Sequence, residues 1–163
     1  MAAIEPGTKA PEFSLPTIAG GTLSLSELLT DGPAVLFFYK HECPVCQMAA
    51  PYLQKLKDAY GASLAVAAVA QDDPAEAAGF AHRHGLTFPV LVDHPAYAVS
   101  RQYGLTTVPT TFLVDRSGVV LQTVLAWNRT GLNGLSEQVA SLTGRPYVPV
   151  SLQGDGAPDF RPG

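Results

Sequence analysis

Apolar residues along this chain gather into short blocks that are typical of buried β-strands. Two blocks, 33–39 and 63–70, contain no charged side chain, and continuous apolarity of this kind indicates strands covered on both faces. Shorter blocks predict three more strands, at residues 88–92, 110–114 and 119–126. A turn at 115–118, with the sequence Asp-Arg-Ser-Gly, joins the last two strands into a hairpin.

The N-terminal part of the chain follows a different pattern, in which apolar and polar residues alternate. The alternation covers residues 13–15 and 22–25 on either side of a Gly-Gly pair, which predicts a β-hairpin. Ser24, followed by Glu27, fits a capping box for a short helical turn. Residues 1–12 are expected to form an extended arm.

Apolar residues that recur near every 3.6 positions predict longer helices between and after the strands. Asp73 before Pro74 is typical of a helix start, and Gly61 and Gly85 are typical stops. Thr130 is expected to cap the last helix. The predicted helices cover residues 47–60, 74–84, 95–103 and 130–142.

This order of elements predicts an α/β fold with a mixed central sheet and helices on both of its faces. The early strand–helix–strand crossovers are expected to be parallel and right-handed. Proline and glycine become frequent after residue 143, so we expect one domain over residues 1–143 and a Pro/Gly-rich C-terminal tail over residues 144–163. The length of 163 residues fits a single domain with its own core.

Composition and charge exclude several classes of function. Charged residues make up 15% of the chain and the net charge is −4, with no run of Lys or Arg that would favour nucleic acid or an anionic membrane surface. No apolar stretch approaches the ~20 residues that span a bilayer. The first residues lack the features of a signal peptide, so we expect a cytoplasmic protein with neither nucleic acid nor membrane as a partner.

The only two cysteines, Cys43 and Cys46, lie between a predicted strand and a predicted helix. This context favours a redox-active dithiol, because cysteines at i and i+3 in the first turn of a helix can close a small disulfide ring. Cys43 would face unpaired backbone N–H groups and the positive end of the helix dipole, which favour the thiolate that attacks disulfides. Cys46 would be more shielded and would resolve the mixed disulfide, and Pro44 suits the first helical position.

The residues alone leave other uses of the cysteine pair open. A closed zinc site needs four ligands, but there is no second cysteine pair and the four histidines lack zinc-finger spacing. Two unreactive core cysteines would not need a position at the start of a helix. We therefore predict no metal and no cofactor other than the Cys43–Cys46 disulfide.

Three features together resemble the thioredoxin superfamily, in its TlpA-like or AhpC-TSA redoxin branch, over roughly residues 6–143. The opening segment 6–15 and the hairpin after it are similar to the N-terminal extension of that branch. The motif Cys-Pro-Val-Cys at 43–46, with Pro51, resembles the family's active-site helix, which a proline kinks. The segment Thr-Val-Pro-Thr-Thr-Phe at 107–112 resembles its cis-proline segment.

The resemblance implies a thioredoxin fold with an N-terminal β-hairpin extension, and the activity of a thiol–disulfide oxidoreductase. In the family pattern, a cis Val108–Pro109 bond sets the chain beside the cysteine pair, and the backbone of Val108 pairs with an extended substrate segment. The implied partners are a protein or small-molecule disulfide and a thiol electron donor, and we expect a monomer or weak dimer. The expected site consists of catalytic Cys43 and Cys46 and substrate-binding Pro44, Val45, Val108 and Pro109.

The chain departs from the family pattern at the groups that handle protons. Phe37 stands where thioredoxins keep a buried aspartate, and Ala49 where related cytochrome-maturation reductases keep a glutamate. Glu42 replaces the tryptophan before the first cysteine, and its charge would oppose a thiolate if it pointed inward. Water, His41 or a residue that the sequence does not locate would then move the proton at Cys46.

Two other functions compete with disulfide exchange. A peroxiredoxin-like thiol peroxidase, with Cys43 as the peroxidatic cysteine, would share the N-terminal extension. Its pattern Pro-x-x-x-Thr-x-x-Cys, however, places Leu36 and Lys40 where proline and threonine are needed. A metal-binding module would hold copper(I) or zinc with Cys43, Cys46 and a histidine.

Overall fold

The structure is a computed structural model that describes residues 2–163, so the part of the predicted arm at residue 1 lies outside the described residues. The strands are β1 (Ser14–Pro16), β2 (Thr22–Ser24), β3 (Ala34–Tyr39), β4 (Ala65–Ala70), β5 (Val90–Val92), β6 (Thr110–Val114), β7 (Val120–Leu125), β8 (Trp127–Asn128) and β9 (Phe160–Arg161). The helices are α1 (Leu25–Leu28), α2 (Pro44–Tyr60), α3 (Pro74–Arg83), α4 (Ala98–Gln102) and α5 (Arg129–Thr143).

The central sheet is mixed, as the order of elements predicts. Its strands lie in the order β5-β4-β3-β6-β7. Strand β3 pairs parallel with β4, β4 pairs parallel with β5, and the pairs β3–β6 and β6–β7 are antiparallel. A separate hairpin, β1–β2, forms the predicted N-terminal extension. These features confirm the predicted thioredoxin fold.

Two apolar clusters lie on the two faces of this sheet. Alternate residues of β3 point to opposite faces, so Val35, Phe37 and Tyr39 join one cluster, with α2, α3 and α5. Leu36 and Phe38 join the other cluster, with α1, α4 and the N-terminal hairpin. Every residue of β3 is 0% exposed, which explains why its sequence is apolar without alternation.

Several predicted boundaries are wrong by a few residues, and local backbone geometry gives the reason. Helix α4 begins at Ala98 rather than at residue 95, because Tyr97 before it has a left-handed conformation with φ of 54°. Helix α5 begins at Arg129, because the side chain of Asn128 accepts the Gly131 N–H at 2.9 Å and caps the helix instead of Thr130. The capping box at β2 and α1 is confirmed.

Residues 144–163 pack against the rest of the chain. Val150 is 2% exposed, and the side-chain oxygen of Asn133 accepts the N–H of Val150 at 2.7 Å and of Ser151 at 3.1 Å. The hydroxyl of Tyr60 on α2 accepts the Val148 N–H at 3.2 Å. The domain boundary at residue 143 stays a prediction, but this segment adds buried side chains to the core.

The Tyr60 hydroxyl generates a stability prediction. It lies 2.7 Å from the Ser136 hydroxyl and accepts the Val148 N–H, so Tyr60→Phe removes both hydrogen bonds and takes the partner from the Val148 N–H. We expect this change to lower the free energy of unfolding in urea by about 1–3 kcal/mol. Tyr147→Phe is the matched control, because Tyr147 is 44% exposed and its change should stay within about 0.5 kcal/mol. Equal effects of the two changes would contradict the prediction.

Candidate active site

The cysteine pair lies at the end of β3, where the chain turns into α2. Cys43 is the N-cap of α2 and Pro44 is its first residue, as the motif predicts. The N–H of Cys46 donates to the sulfur of Cys43 at 3.2 Å. The Cys43 sulfur therefore occupies the position of a capping oxygen, at the positive end of a helix of 17 residues.

The two thiols lie in different surroundings. Cys43 is partly exposed, whereas Cys46 is 0% exposed in the apolar cluster beneath α2. Burial raises the pKa of Cys46 well above its usual value, and the neighbouring Cys43 and Asp72 add to this effect. The outer sulfur is therefore the one that a substrate can reach, and the inner sulfur holds its proton.

The predicted cis-proline segment lies against the outer thiol. The Val108–Pro109 bond is cis, and the Cys43 thiol donates to the Val108 carbonyl oxygen at 3.5 Å. The Pro109 carbonyl accepts the Ala126 N–H at 2.8 Å, which fixes the segment to the chain after β7. Residues separated by 65 positions in sequence thus meet at one carbonyl group.

The structure brings the six predicted site residues together, but they differ in exposure. Pro44 is exposed and Val108 is half-buried, so both can touch a substrate at the surface. Val45 is 5% exposed and packs in the core, so its side chain cannot contact a substrate and only its backbone could. Pro109 is also buried, so its side chain does not reach a substrate, and it affects the site only through the backbone path of the segment.

A buried carboxylate that the sequence did not reveal lies beside the cysteine loop. Asp72 is 3% exposed; it accepts the backbone N–H of His41 at 2.9 Å, and its other oxygen lies 2.7 Å from Nδ1 of the same histidine. On the other side of the ring, Nε2 lies 3.2 Å from Glu76 and 3.7 Å from Glu42. Glu42 is 81% exposed and directs its carboxylate towards His41, so it does not point inward.

This histidine–aspartate pair follows from the register of the sheet. Tyr39 at the end of β3 pairs with Ala70 at the end of β4, and the strands are parallel. His41 and Asp72 each lie two residues beyond these positions, at the carboxyl ends of their strands, where ligands of α/β sheets often bind. The signal in the sequence is a polar residue two positions after each strand, and it becomes readable only once the register is known.

The same group of side chains is the one place in residues 2–163 where three ligands of metal-binding type meet. Ligand atoms of His41, Asp72 and Glu76 lie within 4.8 Å of one another. Neither cysteine sulfur belongs to this group. The hypothetical metal module built on Cys43, Cys46 and a histidine therefore has no matching cluster among the described residues.

His41 generates a prediction about pH. The hydrogen bond to Asp72, with the charges of Asp72, Glu76 and Glu42, raises the pKa of His41 above its usual value of 6.5. A raised pKa in the folded state stabilises the protein at pH values below 6.5, and this contribution is lost as pH rises through the folded-state pKa. We expect NMR titration to give a midpoint above 6.5 for His41, and a lower one in Asp72→Asn.

His84 is the internal control for this titration. Its pKa is lowered by burial and by the charge of Arg83, so the Asp72→Asn change should not move it. A His41 midpoint that is the same in the native protein and in Asp72→Asn would contradict the assigned cause.

Comparisons with known proteins agree with this geometry. The AhpC/TSA family model matches residues 6–123. The thiol-disulfide oxidoreductase ResA of Geobacillus kaustophilus is 32% identical over 124 residues, which cover 75% of this chain and 70% of that protein. Rv2521 of Mycobacterium tuberculosis, named as a proposed peroxiredoxin, is 32% identical over 130 residues, which cover 72% of this chain and 83% of that protein.

A solved structure extends the likeness over almost the whole chain. A proposed thiol:disulfide interchange protein DsbE from Chlorobium tepidum has a TM-score of 0.78 and 30% sequence identity, and the match covers 87% of this chain and all of that one. The expected resemblance to the TlpA-like and AhpC-TSA redoxins is thus confirmed by sequence and by fold. From the family match over residues 6–123, the chain belongs to the AhpC/TSA family.

Proposed function

We propose that this protein is a thiol–disulfide oxidoreductase in which Cys43 attacks a substrate disulfide and Cys46 resolves the mixed disulfide. The observation that carries the proposal is the asymmetry of the pair. The reachable sulfur caps α2 and lies 3.5 Å from the Val108 carbonyl, and the 0% exposed sulfur lies one helical turn behind it.

The reaction consists of two exchange steps that balance. The thiolate of Cys43 attacks one substrate sulfur, forms a mixed disulfide and releases the second substrate sulfur as a thiol. Cys46 then loses its proton, attacks the Cys43 sulfur and releases the first substrate sulfur. The substrate gains two electrons and two protons, and the protein is left with a Cys43–Cys46 disulfide that a thiol donor must reduce.

The surroundings of Cys46 decide how the second step proceeds. Its raised pKa keeps the thiol protonated until the mixed disulfide has formed, so the resolving step needs a proton acceptor. Asp72 is the buried carboxylate whose charge acts on Cys46, and its bond to His41 links it to the surface. We propose that the charge of this pair influences the loss of the Cys46 proton, in a site where Phe37 and Ala49 provide no carboxylate.

Relatives and neighbours of similar fold support this class of activity. ResA is named a thiol-disulfide oxidoreductase and the DsbE neighbour a proposed thiol:disulfide interchange protein, which confirms the predicted class of enzyme. Disulfide substrates and a thiol donor follow from that class, and cysteine chemistry of this kind needs no external cofactor. We propose that a substrate lies along Pro44 and Val108, as the family pattern implies.

The peroxidase alternative has less support. Two relatives from Mycobacterium tuberculosis strains bear a peroxiredoxin name, but the position for the family proline is Leu36, which is 0% exposed in the middle of β3. A side chain there cannot line a pocket for peroxide at the Cys43 sulfur. The position for threonine is Lys40, which is exposed.

Location and assembly stay predictions. None of the helices in residues 2–163 combines the length and apolarity that crossing a bilayer requires. We keep the cytoplasmic location and the monomer or weak dimer as predictions from the sequence.

Two cysteine variants test the proposed roles. Cys43→Ser should lose all reduction of oxidised glutathione by dithiothreitol above the uncatalysed rate, because it lacks the attacking sulfur. Cys46→Ser should still attack but should stop at the mixed disulfide, which mass spectrometry detects as an adduct of oxidised glutathione on Cys43. An adduct on Cys46 in Cys43→Ser, formed at a similar rate, would reverse the roles. Rapid turnover of hydrogen peroxide without disulfide reduction would favour the peroxidase.

A further inference from the structure

Residues 158–163 extend from an anchored turn to the active site. Strand β9 pairs antiparallel with β8, with Trp127 opposite Arg161 and Asn128 opposite Phe160. Strand β8 directly follows Ala126, whose N–H donates to the Pro109 carbonyl. Chain that continues beyond Arg161 along this direction therefore approaches the cis-proline segment.

The anchor of this segment is a buried arginine. Arg129 is 6% exposed at the first position of α5, where the helix dipole disfavours a cation. Its guanidinium donates to Asp159, to Asp155 at 3.3 Å and to the Ala157 carbonyl at 2.5 Å. Its backbone N–H donates to the Asp159 carbonyl at 2.9 Å. The segment thus supplies the negative charge that this buried cation needs.

A second contact ties the segment to the helix of the cysteine pair. The indole Nε1–H of Trp127 donates to the Pro158 carbonyl at 2.6 Å. The Trp127 ring is 0% exposed, and its centroid lies 4.7 Å from that of Tyr52 on α2. The path of residues 158–163 is therefore set by side chains that pack against α2, the helix that begins at the cysteine pair.

The far end of the segment lies on the carbonyl group that the outer thiol contacts. A methyl group added at Gly163 would overlap the Val108 carbonyl oxygen and the Thr107 hydroxyl. The Cys43 sulfur lies 3.5 Å from the same carbonyl oxygen. In the proposed substrate position along Pro44 and Val108, a polypeptide passes beside this carbonyl, and Gly163 occupies that space.

We propose that residues 158–163 determine substrate specificity by excluding extended polypeptide from the side of Val108 and leaving access to small disulfides. The inference rests on the proposed thiol–disulfide exchange and adds the class of substrate. Beside Val108 a cavity of ≈ 210 Å³ stays free, lined by Lys40, Gln71, Leu105, Thr106 and Thr107. This volume lies below the ~300 Å³ at which pockets for drug-sized ligands begin, so it has room for part of a small disulfide beside Val108 but not for a polypeptide strand.

The experiment compares two substrates in single-turnover oxidation of the reduced protein. Oxidised glutathione represents the small disulfides and insulin represents the polypeptide disulfides. In each case the substrate disulfide gains two electrons and two protons as the Cys43–Cys46 disulfide forms. Acid quenching, alkylation and mass spectrometry give the rate of oxidation, and the ratio of the insulin rate to the glutathione rate is the readout.

A variant that lacks residues 161–163 tests the proposal, because it keeps Pro158 and Asp159 with their anchoring contacts. If the segment leaves the site open for about a tenth of the time, its removal raises the insulin rate about tenfold. The glutathione rate should change less than about twofold, because the cavity at Lys40 is not lined by this segment. Leu152→Ala, at a residue 56% exposed in the same tail, is the matched control and should leave both rates unchanged.

Each outcome decides between the two proposals. A ratio that stays within about twofold of the native value, or an equal rise in both rates, overturns the specificity role while leaving the proposed exchange intact. If neither oxidised glutathione nor insulin oxidises the reduced native protein, the proposed function itself fails. Asp159→Asn keeps the chain length and loosens the anchor, so it should raise the same ratio by a smaller factor. If the shortened variant does not fold, this second variant decides.

Discussion

One buried strand positions both the cysteine pair and the cis-proline segment of the candidate site. Strand β3 pairs in parallel with β4 and antiparallel with β6, and each of its residues is fully buried. Its carboxyl end leads to Cys43, and its pairing of Phe38 with Thr110 places the start of β6, directly after Pro109, at the same edge of the sheet. The contact between the Cys43 sulfur and the Val108 carbonyl therefore depends on the register of a strand that no substrate touches. A slip of this strand by one residue would turn its apolar side chains to the opposite face of the sheet. It would also separate the cysteine pair from the cis-proline segment.

Local sequence patterns predict most of the fold because the elements that they encode are local. The block at 33–39, the capping pair Ser24 and Glu27 and the motif at 43–46 each carry their signal within a few residues, and each has its expected structure. The predicted start of α4 is wrong because the true start depends on the left-handed conformation of Tyr97. Few sequence rules assign this conformation to an aromatic residue.

The sequence does not predict the parts of the site that depend on contacts between residues far apart along the chain. Asp72 has no motif of its own; it becomes a neighbour of His41 only because β3 and β4 are parallel with Tyr39 opposite Ala70. Residues 144–163 have a composition typical of a flexible tail, yet Arg129 and Trp127 bind them through contacts that span 26 to 31 positions. Composition measures the average tendency of a segment, and a few specific bonds to a buried cation can outweigh it.

The way in which the tail is held explains how its end can move while its middle stays bound. The contacts with Arg129 end at Asp159, and removing a partner from a buried charge is costly, so residues 155–159 are held firmly. Beyond them β9 has two residues in its ladder, and Phe160 is 56% exposed, so little apolar surface is buried there. Free energies of local opening are lowest where few buried contacts exist, which here is the stretch from Phe160 to Gly163. This stretch can therefore leave the Val108 carbonyl without disturbing the anchor or the core, and the access of large substrates to Cys43 depends on that local equilibrium.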